Sequence, residues 1–230
     1  RARGLHALAS GSARVLVASV GALFPRISPP DRLTHVAIEL TPGREIDPSE
    51  LARLLVEGGF SRQDPVDEHG DFTVRGGLVD VFPAGESHPL RIEFVGDTIE
   101  SIRRYDPSTQ RSVETVDRAT IVPLHDILEN DGVDDSAERV PLDRGSHFIE
   151  YVGSIGQVGL VVSEWETTVQ EGESFDAKLA SSYADAVSRQ ERAIAPEHLC
   201  LPWADLAGLL ARAMRLDTLA VVEPSDEPDR

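Results

Sequence analysis

Cysteine occurs once in this 230-residue sequence, at Cys200, and methionine once, at Met214. A single thiol cannot close an internal disulfide or supply a cysteine cluster for a metal, and it suits a reducing compartment; a cytoplasmic location is expected. A sequence that opens on Arg1 and reaches its first methionine only at Met214 reads as a piece of a longer translation product. Lysine is equally scarce. Lys178 is the sole one, so positive charge rests on arginine guanidiniums, whose planar fork pairs with carboxylates in bidentate fashion. No apolar run approaches the ~20 residues that span a bilayer, so no membrane partner is expected.

The residues of nucleotide chemistry are missing as well. An ATPase of α/β architecture needs a glycine-rich loop ending in Lys and Ser or Thr, because backbone amides cradle the phosphates and the lysine neutralises them. Lys178 follows Ala177 inside a helical pattern, so it is not such a lysine. The seven histidines show neither i,i+4 pairing nor HExxH spacing, and Ser154, Ser163 and Cys200 lack a nucleophile-elbow context. Cys200 itself reads as buried and inert in an apolar strand. No catalytic residue, cofactor or metal ligand is expected, and the fragment is read as not an enzyme. The formal charge of −18 would repel a phosphate backbone, which argues against free-standing DNA binding.

What is present is an ordinary globular composition, 40% hydrophobic and 27% charged, with glycine and proline scattered. Val15 to Ser19 is a short β-branched run that reads as a buried strand, and the proline-rich segment Pro25 to Arg32 reads as a loop. Asp47-Pro48-Ser49-Glu50 combines an N-cap acid, proline at the first helical position and an acid in the first turn, so a helix starts there and ends at Gly58-Gly59. Then come short β-rich runs at Phe72/Val74, Leu78–Phe82, Leu90–Phe94, Ile99–Tyr105 and Arg118–Val122. Turn residues separate them, as in an antiparallel meander. An acidic linker, Glu129 to Asp135, precedes a β-α-β-α-β order. That order has strands at Gly159–Ser163, Leu199–Leu201 and Leu219–Val222, a helix behind Ser174 and another opening at Pro202. The tail from Glu223 to Arg230 reads as frayed.

The run from Glu68 to Pro83, EHGDFTVRGGLVDVFP, resembles almost residue for residue the central motif of the UvrA-binding domain shared by UvrB and transcription-repair coupling factors. The segments Leu90 to Asp97 and Ile99 to Ser112 continue it at family spacing. Gly76-Gly77-Leu78-Val79-Asp80 and the ending Asp106 to Ser112 are more similar to the coupling factors than to UvrB, where Gly-Asp-Val-Val-Glu and Asp-Pro-Leu-Thr-Gly are typical. The resemblance is close from about Val15 to His125; Ser19-Val20 and Pro29-Pro30 match the exit from a first subdomain. From Phe148 to Leu210 it is one of element order and hydrophobic pattern. Ser163-Glu164 resembles a decayed form of the Asp-Glu metal box of UvrB.

The resemblance implies an α/β class. A UvrB-like, degenerate-helicase α/β layer carries an inserted α+β UvrA-interaction domain built on an antiparallel sheet, divided as residues 1–34, 35–122 and 123–230. It implies a non-catalytic region that recruits UvrA in nucleotide excision repair. RNA polymerase and DNA would be engaged only through other regions of the full-length protein. Two alternatives stand beside it: a fragment of a UvrB-type helicase subunit, or a structural module that masks the UvrA-binding surface.

Arg75 and Arg91 lie on neighbouring runs of the meander, where strand alternation can send both to one face. In the family, arginines matching these two contact UvrA. The residues alone also allow each arginine to pair with an acid of its own domain, such as Glu93. Glu93 matches a position with polar contacts, or orients Arg91; Val95 stands where the family often has an aromatic residue. Phe72, Phe82 and Phe94 are expected in the core. As exposed arginines, Arg75 and Arg91 are expected to tolerate truncation without loss of the fold.

Overall fold

The computed structural model of the chain describes residues 1–129, 142–153 and 158–216. These fall into two compact units, Arg1–Leu16 with Ile27–Ile155, and Val17–Arg26 with Gly156–Arg230. The cuts therefore fall at other places than 34/35 and 122/123.

The first unit contains helices α1 (Ala2–Ala9), α2 (Pro30–His35), α3 (Pro48–Glu57) and α4 (Phe148–Gly153) and strands β1 (Ile38–Leu40), β2 (Ser61–Arg62), β3 (Asp71–Arg75), β4 (Leu78–Val81), β5 (Leu90–Val95), β6 (Thr98–Tyr105), β7 (Ser112–Thr115) and β8 (Ala119–Ile121). Strands β2 to β7 form one sheet in sequential order; β3 to β7 run antiparallel and β2 joins β3 in parallel. The meander expected between Asp71 and Tyr105 is thus present. Its expected last strand is not in it, because β8 pairs with β1 in a separate two-stranded sheet. The sixth strand, β7, has one apolar residue, Val113, and all four of its residues are exposed, so it carries no apolar alternation by which to recognise it.

Helix α3 begins as its sequence dictates. The Asp47 carboxylate accepts hydrogen bonds from the backbone N–H groups of Ser49 and Glu50, and Pro48 supplies a preset φ. Its Leu51 and Leu55 pack on one face of the sheet, against Phe72, Val79, Val81, Leu90, Ile92, Phe94, Ile99 and Ile102, all buried. Phe82 is buried too, so all three phenylalanines serve packing. Ile99 and Ile102 both face α3 although three residues apart. The ladder shifts register opposite Glu93/Phe94, leaving Glu100 as an extra residue on β6. At the β3–β4 turn Gly76 takes φ 58°, and a Cβ on Gly77 would stand 2.9 Å from the Phe94 carbonyl oxygen, so only glycine fits.

The second unit has a 3₁₀ turn (Val20–Ala22), strand β9 (Val161–Ser163), helices α5 (Trp165–Ser188), α6 (Pro196–Leu199) and α7 (Trp203–Leu210), and strand β10 (Met214–Leu216), which lies parallel to β9. Parallel strands joined through helices give the α/β character expected of this half. Phe24 stacks on Phe175 at 4.1 Å between ring centres, with Trp203 at 6.2 Å.

Several local expectations are corrected. Val15–Ser19 forms no strand: Val15 and Val17 are exposed, and β-branched residues favour extended backbone without supplying the neighbouring amides that make a ladder. The loop expected through Arg32 gives way to α2 at Pro30, where proline occupies the first helical turn. Leu199 ends α6 and Cys200, half-buried, makes one isolated bridge to Pro25, so 199–201 is no strand and Cys200 is not in a buried one. The helix expected behind Ser174 begins at Trp165, with Ser174 in its interior. Residues 130–135 of the expected linker, Ser154, the strand expected at Leu219–Val222 and the tail from Glu223 lie outside the described residues. Among the described residues no helix is long and apolar enough to cross a membrane.

Two outcomes are expected. Asp47 sits below its ordinary value of 3.8 because the Ser49 hydroxyl and the Ser49 and Glu50 amides favour the carboxylate. A folded pKa below the unfolded one gives stability that is present above the unfolded pKa and lost as pH falls through the folded value. Asp47→Ala is therefore expected to lower Tm by roughly 2–4 °C at pH 7, and the gap to close in acid, as thermal melts across pH will read. At Gly172 a Cβ would come within 2.4 Å of the Trp203 ring. Gly172→Ala is expected to destabilise the second unit by about 1–3 kcal/mol, measured by urea unfolding with tryptophan fluorescence.

Candidate protein-binding face

Only one face of the six-stranded sheet is used by α3. On the other, strand pairing builds two rows: Thr73, Asp80, Arg91 and Arg103 stand opposite one another across β3 to β6, as do Arg75, Leu78, Glu93 and Ser101. Directly opposed residues share a face and so do residues two apart, so Arg75, Asp80, Arg91 and Glu93 all point away from the core. Val95, two beyond Glu93, ends the same strand and is 64% exposed. The four residues singled out in the sequence are therefore brought to one surface.

At its centre lies a residue to which the sequence reading gave no role. Asp80 is only 2% exposed, yet it is ionisable and stands in an interior strand of the meander. Arg91 approaches it with the bidentate fork: Nε donates to Oδ1 and Nη2 to Oδ2, each at 2.8 Å. Arg75 donates from its own Nη2 to the same Oδ2 at 3.2 Å. Two cations thus share one buried carboxylate. The hydrogen bond to Asp80 is the main cause that raises the Arg91 pKa above its ordinary value.

The two guanidiniums differ in freedom. The Arg91 side chain is 19% exposed; it lies over the Tyr105 ring, 4.4 Å from its centre, and Nη2 also donates to the Gln110 side-chain oxygen at 3.0 Å. Burial pushes the Tyr105 phenol up to about 12, and its hydroxyl has no hydrogen-bond partner among the described residues. Arg75 is 49% exposed, and its Nη1 lies 3.5 Å from the exposed Asp64 carboxylate. Glu93 is turned to the neighbouring strand, where it accepts from the Ser101 hydroxyl and pairs with Arg103 at 3.1 Å. Of the two sequence options for Glu93, orientation of Arg91 falls to Asp80 instead.

The signal for Asp80 was available. Counting back from the Gly76-Gly77 turn puts it across from Thr73, and the second hairpin puts it across from Arg91. An acid flanked by apolar Val79 and Val81 in a half-buried strand requires a cationic neighbour. Tyr105 and Gln110 were not legible, because their approach depends on the loop at residues 106–111, where Gln110 takes φ 57°. Elsewhere, Ser163 ends β9 and Glu164, at φ 54°, leads into α5. Among the described residues no group of three or more His, Cys, Asp or Glu is placed to hold a metal ion.

Residues 38–126 match the family described as UvrB interaction domain. The chain is 39% identical over 132 residues to the transcription-repair-coupling factor of Myxococcus xanthus, covering 56% of this chain and 11% of that protein. It is 33% identical over 124 residues to the transcription-repair-coupling factor of Bacillus subtilis, covering 54% and 10%. With UvrABC system protein B of Lactiplantibacillus plantarum it shares 38% identity over 120 residues, 52% of this chain and 18% of that protein. The alignments thus span only about a tenth to a fifth of the relatives' length.

The arrangement corrects the premise that both arginines are exposed: the Arg91 side chain is only 19% exposed, that of Arg75 49%. Arg91→Ala removes the bidentate partner of a buried carboxylate and is expected to cost about 1–3 kcal/mol. Arg75→Ala leaves that fork intact at a half-hydrated site and is expected to cost under about 1 kcal/mol. Urea titrations of the two variants side by side will read the difference, and equal small losses would contradict it.

Proposed function

We propose that this chain, whose residues 38–126 match the UvrB interaction domain family, is a non-catalytic protein-interaction region of a transcription-repair coupling factor that recruits UvrA in nucleotide excision repair. The observation that carries the reading is the open sheet face, where Arg75 and Arg91 meet over Asp80 with Glu93 and Val95 beside them. An arginine pair in a polar rim, next to an exposed apolar residue, is the composition of a surface that takes an acidic partner. On a chain of net charge −18, Arg75, Arg91 and Arg103 offset Asp64, Asp80 and Glu93 on this face, so it lacks the repulsion that the overall charge would give an acidic partner.

RNA polymerase and DNA would be engaged by other regions of the whole protein, and its place of work would be the cytoplasm. With no phosphate-cradling glycine loop in the sequence, the chain itself would not hydrolyse nucleotide.

Calorimetric titration of the 230-residue chain against purified UvrA, at low and moderate salt, tests the reading. Wild-type chain is expected to bind, more weakly as salt rises. Arg75→Ala is expected to lose about 2 kcal/mol, roughly thirtyfold in affinity, while its melting curve stays near wild type. Absence of wild-type binding, or full binding by the variant, would overturn it.

A further inference from the structure

The surface just described contains a residue that no partner can reach. We propose that Asp80 is the positioning residue of the binding face: from beneath it, the carboxylate fixes how Arg75 and Arg91 present their outer amino groups to an acidic surface. The proposal rests on the reading above for its partner, but not for its geometry.

Arg75 on β3 and Arg91 on β5 do not lie on neighbouring strands as the sequence suggested but flank β4; two such guanidiniums repel one another and, being long and rotamer-rich, separate into water unless something holds them. Here one oxygen, Asp80 Oδ2, accepts from Nη2 of both, at 2.8 and 3.2 Å, while Oδ1 takes Nε of Arg91. Arg91 is further clamped by the Tyr105 ring on its face and Gln110 at its edge. Its Nη1 has no hydrogen-bond acceptor among the described residues, and so remains a donor for a partner. Arg75 has a competing site in Asp64, 3.5 Å from its Nη1 and exposed. Without Asp80 the half-exposed Arg75 is drawn toward Asp64 or into water, and the paired presentation is lost.

Charge and geometry make opposite forecasts. If the arginines act as charges alone, removing a negative group from under them raises the local positive potential and tightens binding of an acidic partner. If Asp80 positions them, removal adds the ordering of two side chains to the binding step and weakens it.

The experiment uses Asp80→Asn, close in shape but uncharged, and Asp80→Glu, which keeps the charge and displaces it. Both are titrated calorimetrically against UvrA, with melting curves alongside. Each is expected to lower affinity about tenfold, equivalent to about 1.4 kcal/mol. Unchanged or tighter binding by either folded variant overturns the proposal. A second readout needs no partner: in chain labelled with ¹⁵N-arginine, the bidentate fork slows rotation of the Arg91 guanidinium and resolves its Nη signals. That resolution is expected to be lost in Asp80→Asn, and its persistence likewise overturns the proposal. If wild-type chain fails to bind UvrA, the functional reading falls, while the arginine spectra still decide whether Asp80 sets the geometry.

Discussion

A carboxylate that is almost wholly removed from water governs this molecule. Burying Asp80 without partners would cost several kcal/mol, and the sheet tolerates it only because two guanidiniums converge on its oxygens. The requirement runs both ways. Arg75 and Arg91 are adjacent like charges whose closeness depends on the acid between them, so the three form one unit of structure. Everything around it serves that convergence: the two-residue turn that sets β3 against β4, the hairpin that sets β4 against β5, and the tyrosine that lies against the more buried guanidinium, Arg91.

The scaffold achieves this by using the two faces of an antiparallel sheet for different ends. Helix α3 and eight residues of the six-stranded sheet make an apolar core on one side, and that core is built from apolar side chains alone. The opposite side is free to carry a polar network facing water, which antiparallel sheets permit and buried parallel sheets do not. Stability and recognition therefore have separate residues through most of the first unit. Arg91 and Asp80 are where they overlap, because there a group suited to recognition is also the counter-ion of a buried charge.

Much of this was legible in the sequence, for reasons that can be named. Asp47-Pro48 and Gly58-Gly59 bracket α3 because capping chemistry is local. The alternation of Phe72 to Phe94 announces half-buried strands because side chains two apart share a face. The motif from Glu68 to Pro83 pointed to Arg75 and the segment Leu90 to Asp97 to Arg91, Glu93 and Val95, and pairing registers put them together. What was not legible is nonlocal. Val15–Ser19 has strand composition without a strand, since pairing is supplied by neighbours. β7 is a strand without a buried apolar face, held by β6 alone. Trp165 opens a helix nine residues before Ser174, although Ser174 has the better cap chemistry, because packing of Gly172 against Trp203 extends that helix backwards.

The extra residue at Glu100 has a bearing on fidelity of assembly. A regular ladder would let β6 slide by one position against β5 at little local penalty in backbone hydrogen bonds. With one residue looped out, Ile99 and Ile102 reach the apolar side together, and Ser101, Arg103 and Tyr105 reach the other. Any slip would carry Arg103 inward and Ile102 outward while leaving Ile99 mismatched, so no single displacement offers a competing, half-satisfied pairing. The irregularity works as a key cut into the ladder between β5 and β6, admitting one alignment of the strand whose tyrosine covers Arg91.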